Sequence, residues 1–439
     1  MLDWSWLANL SLVHGRLHVL LLTAAVAGLM GLLLLHRTRA WWTRSVPLAV
    51  LVTLGLLALG WVVLVVTKPW PDGLPVPVVA WVGFGLLALA LLVLGWRRQR
   101  WWVRVLAPAA ALLAVLGAAV GVDTVYGSYP TLWTALQLPP YDTASTAEVL
   151  GAAGQLPPAT TAAHPLSQTW QAPAGLRSTG AVIRADIPAT RSGFVARSTW
   201  VYVPPAYFAP DHPLLPVLEL IGGQPGGPRD WLDGGQLAQR MDRWAAAHDG
   251  LAPVVVMPDA LGSPIADPMC LDSPLGRSDT YLSQDVPAWV QSTLHVDPDH
   301  AHWAVGGFSF GGTCALQLAV AHPDLFPTFF DASGQQGPTL GDRARTVAAA
   351  FAGDDAAYTA HDPLVELATG RWPASAGYLV VGAQDPDYLP QARTVAAAAR
   401  SAGLAVTFTE LPGGHDWAVW GGGFDRAMPW LATRMGLTP

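Results

Sequence analysis

Four long apolar runs near the start of the chain limit its folding more than any other feature. Residues 17–35, 46–66, 76–96 and 105–122 are almost uninterrupted stretches of Leu, Val, Ala, Gly and Trp. Each is close to the roughly 20 residues that an α-helix needs to cross the hydrocarbon of a bilayer, so four transmembrane helices are expected. A cleavable signal peptide has a shorter apolar core and is not followed at once by three more spans, so the first run is expected to be retained. Of the 439 residues, 52% are hydrophobic and only 13% charged, as in a chain divided between a membrane part and a soluble part.

The charges between the spans set an orientation. Arg37, Arg39 and Arg44 follow the first span, and Arg97, Arg98, Arg100 and Arg104 follow the third. Short loops rich in Arg stay on the cytoplasmic side. The loop at 67–75 carries only Lys68 and Asp72 and reads as external. An even number of spans then places both termini, and everything after the fourth span, outside the cytoplasm. Trp41, Trp42, Trp101 and Trp102 beside the basic turns fit an interfacial aromatic belt. The spans contain no Asp, Glu, Lys or Arg, so an ion or proton pathway loses its main support. The net charge of −7 and the lack of a basic face argue against nucleic acid as a partner.

The expected organisation is a membrane domain at 1–125, a linker at 126–171 and a catalytic domain at 172–439. The linker is rich in Pro, Ala, Thr and Ser, with one short helix expected near 147–153. Beyond Gly180, short apolar runs at 181–187, 198–203, 217–221, 254–257, 302–305, 326–330, 377–381 and 406–409 alternate with helical stretches such as 235–248 and 394–402. Strands separated by helices predict an α/β fold with a mostly parallel sheet.

One segment carries chemistry. Trp303-Ala304-Val305-Gly306-Gly307-Phe308-Ser309-Phe310-Gly311-Gly312 reads as a strand, a tight turn and the start of a helix. In the G-x-S-x-G pattern the flanking glycines permit a strained turn that leaves the serine hydroxyl exposed. Two further groups follow in the order of the hydrolase fold, each in a loop after a strand: Asp385 in Gly382-Ala383-Gln384-Asp385-Pro386-Asp387, and His415 in Gly413-Gly414-His415-Asp416. Ser309 is expected to be the nucleophile, His415 its base and Asp385 the acid that orients the imidazole, ahead of Asp387 and Glu410. The oxyanion would be held by the Phe310 backbone N–H and by one from the loop Gly222-Gly223-Gln224-Pro225-Gly226-Gly227. Pro225 cannot donate, which leaves Gln224, the favoured donor, or Gly223. A hydrolase fold kept only for binding has no need of all three triad groups, and all three are present.

These residues resemble the Putative esterase family, which includes esterase D and the antigen 85 mycolyltransferases. The resemblance spans about 180–431. It rests on Val201-Tyr202-Val203-Pro204-Pro205, on 216–231, on 254–259, on 307–312 and on 413–417. It implies an α/β-hydrolase fold and ester hydrolysis or acyl transfer, and its mycolyltransferases work on envelope lipids outside the membrane. Relatives often carry a His-Gly pair where this chain has Gly222-Gly223.

The expected partners are an acyl ester or lipid substrate and the lipid bilayer. No cofactor is indicated and no metal-ligand spacing is present, so His295, His300, His302 and His322 read as surface or packing residues. Cys270 and Cys314 both lie in the part placed outside, where a disulfide is permitted but not required. Trp231, Trp417 and Trp420 are candidates either for a pocket wall or for core packing.

Overall fold

The computed structural model describes residues 9–36, 38–69, 71–96, 101–145, 147–149 and 165–439. The chain divides into two compact units, Met1–Leu138 and Pro139–Pro439.

The first unit contains four long helices, α1 (Gly15–Leu34), α2 (Val46–Thr67), α3 (Val76–Gly95) and α4 (Val103–Tyr126). A π-helical turn, Trp41–Ser45, runs directly into α2. All four are long and apolar enough to cross a membrane. Their outward faces carry side chains that water solvates poorly, among them Leu51, Trp61, Val66, Val93 and Leu112, each about half exposed or more. In water such a surface would drive aggregation; in a bilayer it is the expected exterior. Small residues let the helices pack closely: a Cβ on Gly28 would lie 2.4 Å from the Ala110 carbonyl oxygen, and one on Gly117 would lie 2.1 Å from the Ala25 Cβ. Helix α4 runs four residues beyond the apolar run that marks it in the sequence, ending at Gly127 in the left-handed conformation. Of the basic turns, Arg37, Arg97, Arg98 and Arg100 lie outside the described residues.

The second unit is built on an eight-stranded sheet. Its strands are β1 (Ala181–Ala185), β2 (Thr199–Val203), β3 (Val217–Ile221), β4 (Val254–Met257), β7 (Ala304–Phe308), β8 (Thr328–Ala332), β9 (Ala376–Gly382) and β10 (Ala405–Leu411). A small hairpin, β5 (Asp272–Ser273) and β6 (Gly276–Arg277), stands apart. The order across the sheet is β1-β2-β4-β3-β7-β8-β9-β10. Only β1 and β2 run antiparallel to their neighbours, and the remaining pairs are parallel. β3, β4, β7, β8 and β9 are buried throughout, as strands covered on both faces must be. The helices used below are α5 (Leu237–Ala246), α6 (Phe310–Ala321), α7 (Leu389–Ser401) and α8 (Trp417–Arg434). This is the expected mostly parallel α/β-hydrolase sheet.

Several element boundaries differ from the sequence expectation. β7 does not stop before Gly306-Gly307 but continues through both to Phe308, because Gly306 pairs with Phe330 of β8 and a Cβ there would meet the Leu220 side chain at 3.0 Å. β8 starts at Thr328 rather than 326, since Phe326 is a fully buried core residue preceding the ladder. α7 begins at Leu389, five residues early, because Pro390 suits the first turn of a helix. Of the short helix expected near 147–153, residues 147–149 are helical and the rest lies outside the described residues.

Cys270 and Cys314 are joined in a disulfide, with Cα atoms 5.5 Å apart, tying the loop after β4 to α6.

Candidate active site

The turn between β7 and α6 forces Ser309 into an unusual backbone conformation, φ 52° and ψ −121°. A non-glycine residue there costs on the order of 1–3 kcal/mol, so the surroundings must hold it in place. They do so with hydrogen bonds: the Ser309 N–H donates to the Ala332 carbonyl at 2.8 Å, and the Ser309 carbonyl accepts from Gly312 and Thr313 at 2.9 and 3.1 Å. The flanking glycines are steric necessities. A Cβ on Gly307 would sit 2.3 Å from the Gly311 carbonyl, and one on Gly311 would sit 2.2 Å from the Ile221 oxygen and 2.6 Å from the Gly222 oxygen. The loop after β3 is therefore pressed against the first turn of α6.

The other two polar groups come from neighbouring loops that are bonded to each other. After β9, Ala383 N–H donates to Leu411 and Gln384 N–H to Gly413; Gly413 N–H returns a bond to the Gln384 side chain. This pairing brings Asp385 and His415 together. Asp385 is 4% exposed; its Oδ1 accepts from the Tyr388 N–H at 3.1 Å, and its Oδ2 lies 2.9 Å from His415 Nδ1. On the other side of the ring, His415 Nε2 lies 2.9 Å from Ser309 Oγ. An ionised carboxylate can only accept, so Nδ1 carries the ring hydrogen and Nε2 is left to accept from the serine hydroxyl. Tyr388 stacks on the imidazole at 4.0 Å between centroids and 27°, and Trp420 meets it edge-on at 4.9 Å, which fixes the ring plane.

Asp387 is exposed and Glu410 is paired with Arg393 at 2.7 Å, so neither competes with Asp385 for the imidazole. Trp231, Trp417 and Trp420 are at most 6% exposed and pack around Phe308, as core rather than as a pocket wall. Among the described residues the backbone N–H groups of Phe310, Gly223 and Gln224 find no intramolecular acceptor.

The loop after β3 is held by residues outside its own motif. Arg197 is bidentate to the fully buried Asp259, with Nη2–Oδ1 at 2.7 Å and Nε–Oδ2 at 3.0 Å, and its Nη1 donates to the Gly226 carbonyl at 3.0 Å. Gly226 N–H donates to Pro264 at 2.9 Å, Gly227 N–H to Asp230 at 2.8 Å, and the Gln224 side chain to Ala266 at 2.9 Å. A fixed loop can present donors without reorganising, the condition under which they stabilise a developing oxyanion. The one sequence signal for this network is Asp259 directly after β4, but its partner lies 62 residues upstream.

Another buried acid lies beneath the turn. Asp331 on β8 is 2% exposed; burial pushes its carboxyl up to about 7, against the opposing effect of the Gly334 N–H that it accepts at 2.7 Å.

The Putative esterase family model matches residues 196–431. The chain belongs to the Putative esterase family. A Corynebacterium glutamicum protein described as uncharacterized is 32% identical over 433 residues, 96% of each chain, so the likeness includes the four long apolar helices. The Mycobacterium tuberculosis diacylglycerol acyltransferase/mycolyltransferase Ag85A is 33% identical over 102 residues, 20% of this chain and 30% of its own length. Among solved structures, a ferulic acid esterase superposes with a TM-score of 0.52 at 21% identity, covering 59% of this chain and 99% of its own, which supports the fold. As a member of this family, the chain is an ester hydrolase or acyltransferase.

Proposed function

We propose that this family member is a membrane-anchored serine esterase or acyltransferase whose catalytic unit works outside the cytoplasm, and that Ser309, His415 and Asp385 are its catalytic residues. The observation that carries the proposal is the continuous hydrogen-bonded chain from Ser309 Oγ through both ring nitrogens of His415 to Asp385, at 2.9 Å in each step. As Oγ attacks an ester carbonyl, its proton passes to Nε2, and Asp385 stabilises the imidazolium and holds its tautomer. The tetrahedral oxyanion is received by the N–H of Phe310 and of Gln224, with Gly223 the other donor of that loop. Collapse expels the alcohol, which takes the proton from Nε2 and leaves an acyl group on Ser309. Water or a second alcohol then attacks the acyl-enzyme, and the two fates share every residue named.

The extracytoplasmic address rests on the excess of Arg in the two turns that follow the first and third apolar runs. Anchoring raises the effective concentration of membrane-resident esters, so lipids are the favoured substrates.

The test is nitrophenol release from a short-chain nitrophenyl ester by the intact protein in detergent, compared with Ser309→Ala, with and without added alcohol. Ser309-dependent release that accelerates with alcohol and yields a new ester identifies a transferase. Release indifferent to alcohol identifies a hydrolase, and release unchanged in Ser309→Ala would refute the assignment.

A further inference from the structure

Among the described residues of the unit 139–439, four large apolar side chains stand exposed: Val195 at 83%, Ile265 at 59%, Leu275 at 43% and Val365 at 37%. Three of the four stand on loops that touch one another and that are joined to the loop after β3. The Phe194 ring lies between two of these loops. It lies against Tyr281 at 5.5 Å and would meet a Cβ on Gly276, the neighbour of Leu275, at 2.9 Å. The Val195 carbonyl lies 3.1 Å from the Cβ position of Gly262, three residues before Ile265. This cluster is bonded straight to the loop after β3, because Pro264 accepts from Gly226 N–H and Ala266 from the Gln224 side chain.

The exposure is therefore enforced. Burial of each of these side chains would be favourable, yet the loops that carry them are held by the contacts named above. Pro264 and Pro274 extend the apolar tip of the same loops, and both are exposed. Arg191 and Arg277 flank it, tied together by the Arg277 Nη1 bond to the Arg191 carbonyl at 3.1 Å; among the described residues the Arg191 guanidinium forms no ion pair, although its backbone N–H donates to Asp285, and Arg277 pairs with Asp272 at 3.3 Å. Exposed apolar side chains rimmed by cations suit the boundary between acyl chains and anionic headgroups.

We propose that Val195, Ile265 and Leu275 form a membrane-docking surface. It dips into the outer face of a bilayer and sets the loop after β3, and with it Ser309, at the level where an ester lies in the lipid–water interface. The occupant is a lipid surface, because the same chain carries four helices of membrane-spanning length and the surface has cations at its rim. The choice of the outer face and the bearing on Ser309 rest on the function proposed above.

The test uses the intact protein in vesicles of phosphatidylcholine and phosphatidylglycerol. The two native cysteines are joined to each other, so Leu275→Cys supplies a free thiol for a bimane label, with Val365→Cys as the control site. The expected result is several-fold stronger quenching of the Leu275 label by nitroxide lipids, with protection from iodide, and the same in a Ser309→Ala background. That background separates docking from catalysis, because the quenching stands even if Ser309 proves inert. A Leu275 label as open to iodide as the Val365 label would overturn the proposal. So would one shielded from both quenchers, which would instead indicate a protein partner or a second copy. As a second readout, the combined change V195S, I265S and L275S is expected to slow turnover of a bilayer-embedded ester by about tenfold while sparing a short soluble ester. Equal loss on both substrates would count against docking.

Discussion

Asp385→Asn separates orientation of the imidazole from mere polarity at its far side. The substitution keeps the shape of a side chain that is 4% exposed and keeps an oxygen to accept the Tyr388 N–H, so the loop after β9 has no reason to move. What changes is the 2.9 Å contact to His415 Nδ1. If the amide NH2 turns toward the ring, Nδ1 must accept, the ring hydrogen moves to Nε2, and the nitrogen facing Ser309 at 2.9 Å no longer takes a proton. Loss of the correct tautomer costs about 10⁴-fold in turnover in triads of this type, or about 5.5 kcal/mol of transition-state stabilisation. The assay is nitrophenyl ester turnover by the intact protein near pH 7, with thermal unfolding beside it to show that the fold is kept. Asp387→Asn is the matched control, two residues away and exposed, and is expected to retain activity within about twofold because surface substitutions rarely disturb structure. A loss below tenfold in Asp385→Asn, or a comparable loss in Asp387→Asn, would refute the reasoning.

Two further perturbations probe the turn and the acid beneath it. Gly311→Ala places a methyl 2.2 Å from the Ile221 carbonyl, a backbone atom that cannot rotate away. The loop after β3 or the start of α6 must shift, and turnover is expected to fall by at least about 10²-fold, the cost of losing one oxyanion donor, while circular dichroism shows retained secondary structure. Full activity would mean that the contact is not needed. Asp331 stays protonated in the folded protein up to about 7, whereas its unfolded carboxyl releases its proton near 3.8. Between those values the folded state binds more protons, so stability falls as pH rises and the loss is complete above about 7. Asp331→Asn removes this dependence and is expected to gain up to about 4 kcal/mol at pH 8, with the gain vanishing below pH 4. Unfolding midpoints measured across that range check it, and a gain that is constant with pH would contradict it.

What could be read from the sequence follows how local each signal is. Ser309 was legible as a candidate because the strand, turn and helix that strain it are contiguous, and Asp385 and His415 as its candidate partners because each lies in a loop directly after an apolar run. The four long apolar helices were legible for a stronger reason: they are apolar on every face, so no periodicity has to be deciphered. The support of the loop after β3 was hidden, because Arg197 and Asp259 meet only when β2 and β4 pair. Buried acids were hidden as well. Glu219 sits 1% exposed in the middle of β3, with Oε1 unpartnered among the described residues and its carboxyl pushed well above the usual range by burial. A lone acid in a short apolar run gives no sign of that cost. Gly306 and Gly307 misled for the opposite reason, since glycine usually marks a strand's end and here admits neighbours too close for a side chain.

Covalent labelling tests most directly whether Ser309 is a nucleophile. The intact protein in detergent is treated with a fluorophosphonate, and the adduct is measured by intact mass and located by peptide mapping. One adduct on the peptide containing Ser309, absent from Ser309→Ala and sharply slowed in His415→Ala, is the predicted result. No adduct on a folded protein, or one that survives in Ser309→Ala, would contradict the account.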